Sequence, residues 1–220
     1  MTRIIIGALS GWKYHERRAR CLTTWMADGE QVAIRSVFLL GCPTLVEPEL
    51  TGPHYLCLPC PDDYPSLPLR TWNFCRWAMG QPDWDYLLKC DDDSFVCIPR
   101  LVVYDCQERP YIGAEWKKGV DYGSGGAGYL IDRKAAAIVA EQSAPGPGAE
   151  DVWVGNVLRA AGVRLSIDEK FIPFGSMIHR PAVGNSFITL HGVDAPAFMA
   201  SHEETGLAAE KQPAGQTVPG

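Results

Sequence analysis

Three consecutive aspartates, Asp91, Asp92 and Asp93, follow directly on the apolar run Trp84 to Cys90. A short run of this kind reads as a buried strand. The strand must therefore end at the rim of a sheet, because unpaired charge is costly inside a core. In open α/β sheets that rim, at the carboxyl ends of the strands, is where ligands bind. Adjacent carboxylates repel one another unless something positive compensates, and a hard divalent cation does so best. A solvated turn leading into Phe95 to Ile98 is the alternative reading of the same residues.

The rest of the chain alternates strands with helices. Arg3 to Leu9 is predicted as a first buried strand and Val32 to Leu40 as a second, with a short strand near His54 to Leu58. His15 to Met26 carries Leu22, Trp25 and Met26 on one helical face, and Asp28-Gly29 is expected to break that helix. Between Leu67 and Met79 apolar residues surround the whole helical circumference, which predicts a helix packed on several sides and ended by Gly80. Tyr129 to Ile131 reads as a strand and Lys134 to Glu141 as a helix. A last helix starts near Glu150, with Val154, Val157, Leu158 and Ala161 at helical spacing before Gly162. This order predicts an α/β fold, a largely parallel central sheet flanked by helices. A chain of 220 residues, 46% of them hydrophobic, is expected to fold as a single domain over residues 1–204. The stretch 205–220 has little to bury and is expected to be a disordered tail.

With 20 basic against 26 acidic residues the formal charge is -6, which disfavours nucleic acid as a partner. No segment approaches a transmembrane span and no signal-peptide layout is visible, so a cytoplasmic location is expected. In that setting the eight cysteines read as reduced core residues rather than a disulfide framework. Cys57-Leu58-Pro59-Cys60 with His54 nearby lacks the fourth ligand of a structural zinc site.

Two further segments carry candidate chemistry. Gly125-Gly126-Ala127-Gly128 lies between predicted elements and suits close backbone approach to a ligand, yet it is neither a dinucleotide nor a P-loop fingerprint. Glu150-Asp151 opens a helix, where acids compensate the dipole; a general base is the functional alternative. Trp116 and Trp153 are possible sugar-stacking platforms, with burial as the simpler role.

The block from Asp63-Tyr64 through Leu69-Arg70-Thr71 and Arg76-Trp77 to Leu88-Lys89-Cys90-Asp91-Asp92-Asp93-Ser94-Phe95-Val96 resembles the central block of Fringe-like β-1,3-galactosyltransferases. Arg17 to Trp25, Phe38-Leu39-Leu40-Gly41, Gly125 to Tyr129 and Glu150-Asp151-Val152-Trp153-Val154-Gly155 resemble four further motifs of that family in the same order. The likeness runs from about Ile4 to His191. It departs where the family has a lysine and this chain Arg70, in cysteine placement, and in the stem and anchor of eukaryotic members, so a soluble bacterial- or viral-type member is expected.

The resemblance implies a GT-A fold and an inverting, metal-dependent transfer of a hexose, galactose first, from a UDP-sugar to a hydroxyl of a glycan acceptor, forming a β-1,3 linkage. Mn²⁺ is the implied cofactor. Asp93 is the implied direct ligand, with Asp91 and Asp92 toward metal waters or the ribose, and Arg17 and Gly126 toward the donor. His191 is the preferred histidine ligand and His179 the alternative. Asp151 is the implied base, supported by Glu150. A metal-dependent phosphoesterase and a non-catalytic UDP-sugar or glycan-binding module are the competing classes.

Overall fold

The first strand is apolar and buried along its whole length because both faces of the sheet are covered there. In β1 (Ile4–Leu9) the residues Ile4, Ile6 and Ala8 enter one core and Ile5 and Leu9 the other. The same period of two runs through β2 (Arg35–Gly41), with Phe38 and Leu40 on the first side and Val37 and Leu39 on the second. The structure, a computed structural model, describes residues 2–173, 186–192 and 195–205.

The larger sheet adds β3 (Glu49–Thr51), β4 (Tyr55–Leu58), β5 (Tyr86–Asp91), β7 (Tyr111–Gly113), β8 (Tyr129–Asp132) and β9 (Ser166–Ile167), in the order β3-β4-β2-β1-β5-β8-β7-β9. Its centre, β4-β2-β1-β5, is parallel, while β3 and β8 run against their neighbours β4 and β5. A smaller sheet, β10-β11-β6, is built from β6 (Ser94–Val96), β10 (Phe171–Ile172) and β11 (Thr189–His191). The aspartate triplet is the link between the two sheets: β5 ends on Asp91 and β6 begins at Ser94.

Helices α1 (His15–Thr23), α2 (Trp25–Gln31) and α4 (Ile98–Val102) contribute to the first core; α3 (Leu67–Met79), α5 (Arg133–Ala140) and α6 (Glu150–Ala160) contribute to the second. The helix α7 (Ala195–Thr205) closes the described chain. Local signals set several ends. Asp132 caps α5 by accepting from Ala135 N at 2.7 Å. After α6, Gly162 has φ +81, Val163 N bonds Leu158 O at 2.9 Å and Gly162 N bonds Arg159 O at 3.0 Å, the paired bonds of a Schellman ending.

One local expectation is corrected. The segment from His15 breaks at Thr24, with φ -125 and ψ -110, and Asp28-Gly29 lies inside the second helix, α2, instead of ending the first. The hydroxyls of Thr23 and Thr24 donate to Ala19 O at 3.0 Å and Arg20 O at 2.6 Å, competing with the backbone ladder there. The break lets Trp25 bury completely. Of the expected tail only Thr205, the last residue of α7, is described; 206–220 lie outside the described residues, as does His179. Among the described residues no helix is long and apolar enough to cross a membrane.

Candidate metal and active site

β5 brings Asp91 to the carboxyl edge of the sheet, and the turn after it sends the three carboxylates in different directions. Asp92 turns inward: its side chain is 3% exposed, Oδ2 accepts from Ser10 Oγ at 2.6 Å and Oδ1 from Arg17 at 3.2 Å. Burial pushes the Asp92 carboxyl above its ordinary value against those two hydrogen bonds. Asp93 remains reachable, with Oδ2 3.0 Å from the same Arg17 guanidinium and Oδ1 3.2 Å from His191 Nδ1. Burial would raise Asp93, yet His191 and Arg17 outweigh it and hold the carboxyl below its ordinary value.

His191 reaches the triplet through the second sheet. β11 runs antiparallel to β6 with His191 opposite Ser94. Ser94 Oγ donates to Gly126 O at 2.6 Å and lies 3.0 Å from His191 Nδ1. A hydroxyl has one proton and a carbonyl can only accept, so while Ser94 donates to Gly126 the proton between Ser94 and His191 sits on Nδ1, the ring nitrogen that faces Asp93, and Nε2 packs against Gly126. The ring lies against Gly126, where a Cβ would come within 2.6 Å of the imidazole Cδ2. Gly126, expected near the donor, thus makes room for the histidine.

Asp91, Asp93 and His191 each offer a ligand atom such that all three lie within 4.8 Å of one another, which makes this the one candidate cation cluster among the described residues. Asp93 Oδ1 is buried without a hydrogen-bond partner. A buried carboxylate oxygen left unsatisfied beside a second carboxylate and an imidazole is a fitting environment for a divalent cation. The cysteine cluster does not compete: all eight thiols are free, and His54 Nδ1 donates to Ser36 O at 2.9 Å.

The triplet opens on a cleft of about 410 Å3 whose other wall comes from the loops after β1 and β4 and the starts of α1 and α3. Those loops are tied together by residues that the sequence reading did not single out. Asp62 accepts from Gly41 N at 3.0 Å and Trp12 N at 2.8 Å, and pairs with the buried Arg70 at 3.1 Å. Arg70 also donates to Ser10 O and, at 3.0 Å, to Asp63 O. The sequence signal for Asp62 is only its place between predicted elements, whereas Arg70 lies in the first turn of the predicted helix Leu67 to Met79 and in the block that resembles the family.

Lys89 connects the triplet to the start of α6. Asp151 is half-buried, with Oδ2 accepting from Gly125 N at 3.2 Å. Glu150 is 4% exposed and turned into the second core, where its carboxylate meets Lys89 Nζ at 2.8 Å and the Tyr129 hydroxyl. Burial pushes the Glu150 carboxyl up against the pull of Lys89. Lys89 itself, 3% exposed, also contacts Asp91 Oδ1 at 3.2 Å and Gly125 O at 3.0 Å. Arg17, Asp91, Asp92, Asp93 and His191 line this cleft, Gly126 lies against His191, and Asp151 and Glu150 stand behind them on Gly125 and Lys89. Trp116 is half-exposed on the loop after β7, and Trp153 packs against the second core.

No protein-family model matches the chain. Its fold is similar to that of a glycosyltransferase involved in glycosylation of the major capsid of PBCV-1, with a TM-score of 0.56 at 12% identity over 91% of this chain and 98% of that one. It is also similar to the catalytic domain of Drosophila β1,4-galactosyltransferase 7 in complex with xylobiose, with a TM-score of 0.52 at 12% identity over 90% of this chain and 73% of that one. A mutant of the Drosophila enzyme in complex with manganese, UDP-Gal and xylobiose gives a TM-score of 0.50 at 11% identity over 100% of this chain and 83% of that one. The sheet order and these likenesses together give this chain the GT-A fold of glycosyltransferases.

Proposed function

We propose that this chain is an inverting, metal-dependent glycosyltransferase of the Fringe-like β-1,3-galactosyltransferase type, transferring galactose from UDP-galactose to a hydroxyl of a glycan acceptor. The observation that carries the reading is the convergence of Asp91, Asp93 and His191 at the mouth of a cleft at the ligand edge of a GT-A sheet. The complex of the Drosophila enzyme with manganese and UDP-Gal supports the choice of metal and donor.

Asp93, Asp91 and His191 would hold the metal, which when bound supplies positive charge against the charge developing on the leaving diphosphate. Arg17 is 38% exposed beside that position and adds a second cation reaching toward the donor phosphates. Asp92 keeps Arg17 aimed. Asp151 is the general base: half-buried at the start of α6 and held by Gly125 N, it takes the proton from the acceptor hydroxyl as that oxygen attacks the sugar. No covalent nucleophile is needed. Glu150 holds the start of α6 and does not titrate with the acceptor. The catalytic unit in this reading is residues 1–204.

Incubation with UDP-galactose, Mn²⁺ and a panel of oligosaccharides tests the reading directly. Acceptor-dependent UDP release that stops in EDTA is expected. UDP binding without release under any acceptor would make the chain a binding module, and release of phosphate from simple esters would make it a phosphoesterase.

A further inference from the structure

We infer that Lys89 is a positioning residue: it ties the metal-side carboxylate of Asp91 to the first turn of α6, so that metal and base keep one geometry. The inference rests on the glycosyltransferase reading above and extends it to a residue that touches neither donor nor acceptor.

Alternation along β5 places Lys89 and Asp91 on the same face, the face that Leu87 turns toward the second core. An ammonium has three protons, and Lys89 Nζ has three acceptors: Asp91 Oδ1 at 3.2 Å, Glu150 Oε2 at 2.8 Å and Gly125 O at 3.0 Å. The other oxygen of Glu150 is taken by the Tyr129 hydroxyl. Gly125 is held from both ends, its carbonyl by Lys89 and its N–H by Asp151. There is no slack: a Cβ on Gly125 would stand 2.9 Å from Glu150 Oε2, 3.1 Å from Lys89 Nζ and 3.2 Å from Asp151 Cβ. Asp91 and Asp151 are thereby joined through two short chains of contacts that share one buried ammonium.

Apolar side chains of the same volume would stabilise such a site at least as well as a buried ion cluster. Fixing the distance between Asp91 and Asp151 is the work that an apolar replacement could not do.

The test uses the full chain with carboxyl-13C aspartate and glutamate and 15N-lysine, titrated with Mg²⁺ as a diamagnetic probe. The Asp91 and Asp93 carboxyl signals should move, and Lys89 Nζ and the Glu150 carboxyl should move with the same midpoint. If Asp91 and Asp93 respond while Lys89 and Glu150 stay silent, the tie is overturned and the metal site stands. If Asp91 and Asp93 are themselves silent, the metal reading fails and the inference falls with it. In parallel, Lys89→Met/Glu150→Gln removes both charges at once, so that neither is left buried alone. It should fold, keep Mn²⁺-dependent UDP binding, and lose about tenfold or more in kcat with an unchanged donor KM. Lys89→Arg should recover part of that rate. A double variant that turns over like the parent would make Lys89 and Glu150 a structural pair and nothing more.

Discussion

The imidazole of His191 lies against the α-carbon of Gly126, with a Cβ there held to 2.6 Å from the ring's Cδ2 and Cε1. The backbone of Gly126 does not have positive φ, so the demand for glycine is one of space alone. Because Ser94 anchors the same ring at 3.0 Å, the histidine can give way only by leaving that contact.

Gly126→Ala should therefore swing His191 away from Asp93. Overpacking of this kind costs roughly 1–3 kcal/mol. Mn²⁺ affinity should fall with it, as isothermal titration would measure. Unchanged affinity would remove His191 from the ligand set.

Asp93→Asn keeps the shape of the side chain and removes its charge. Since the surroundings hold the Asp93 carboxyl below its ordinary value, its charged form stabilises the fold at neutral pH. That contribution is complete above the unfolded pKa of about 3.9 and is lost as pH falls through the lower folded value. Thermal shift should show a modest drop in Tm without metal and loss of most of the Mn²⁺-induced rise. A full rise in the variant would place the metal elsewhere.

Arg17 competes with a metal for Asp93 yet is available to donor phosphates, so its removal should act with opposite signs on the two ligands. In Arg17→Ala, binding of Mn²⁺ alone should be equal or tighter, and binding of UDP in saturating Mn²⁺ weaker. Parallel losses for both would indicate a collapsed triplet in place of a phosphate contact.

Asp151→Asn should leave UDP and Mn²⁺ binding intact while transfer falls about 10²- to 10⁴-fold, the usual contribution of a general base. Asparagine keeps an oxygen for Gly125 N and gives up only the charge that compensates the helix start, a loss of roughly 0.3–1 kcal/mol. Near-normal transfer with normal stability would reduce Asp151 to a helix-start residue.

The eight thiols are free, and burial pushes Cys21 up to about 12 and Cys60 and Cys106 up to about 11. Burial likewise raises the part-exposed Cys42, aided by Cys57, to about 12. A raised thiol pKa means less thiolate at neutral pH. Alkylation of the folded protein at pH 7 should be slow, should reach eight groups after denaturation, and reductant should leave Tm unchanged. Fewer than eight reactive groups in denaturant without reductant would reveal disulfides.

The sequence by itself determined the elements with strong local signals. Leu67 to Met79 is helical over the predicted residues because apolar side chains on every face find neighbours and Gly80 follows at once. The end of α6 was legible because Gly162 takes a positive φ that other residues resist. The apolar run into Asp91 was legible because a buried strand cannot carry three acids inside. The helix break at Thr24 was not, because two threonine hydroxyls and the burial of Trp25 outweighed the signal of Asp28-Gly29.

Only the tertiary structure decided which side chains meet. Nothing near His191 in the chain marks it as a neighbour of the triplet; the register of β11 on β6, across nearly a hundred residues, sets it opposite Ser94. The same holds for Lys89, which looks like an ordinary strand residue until α6 brings Glu150 to within 2.8 Å of it. Local sequence fixes where a strand must end, because that follows from its own burial. Which charges gather at that end depends on pairings between distant segments, and those are settled by the packing of the two sheets and the helices between them.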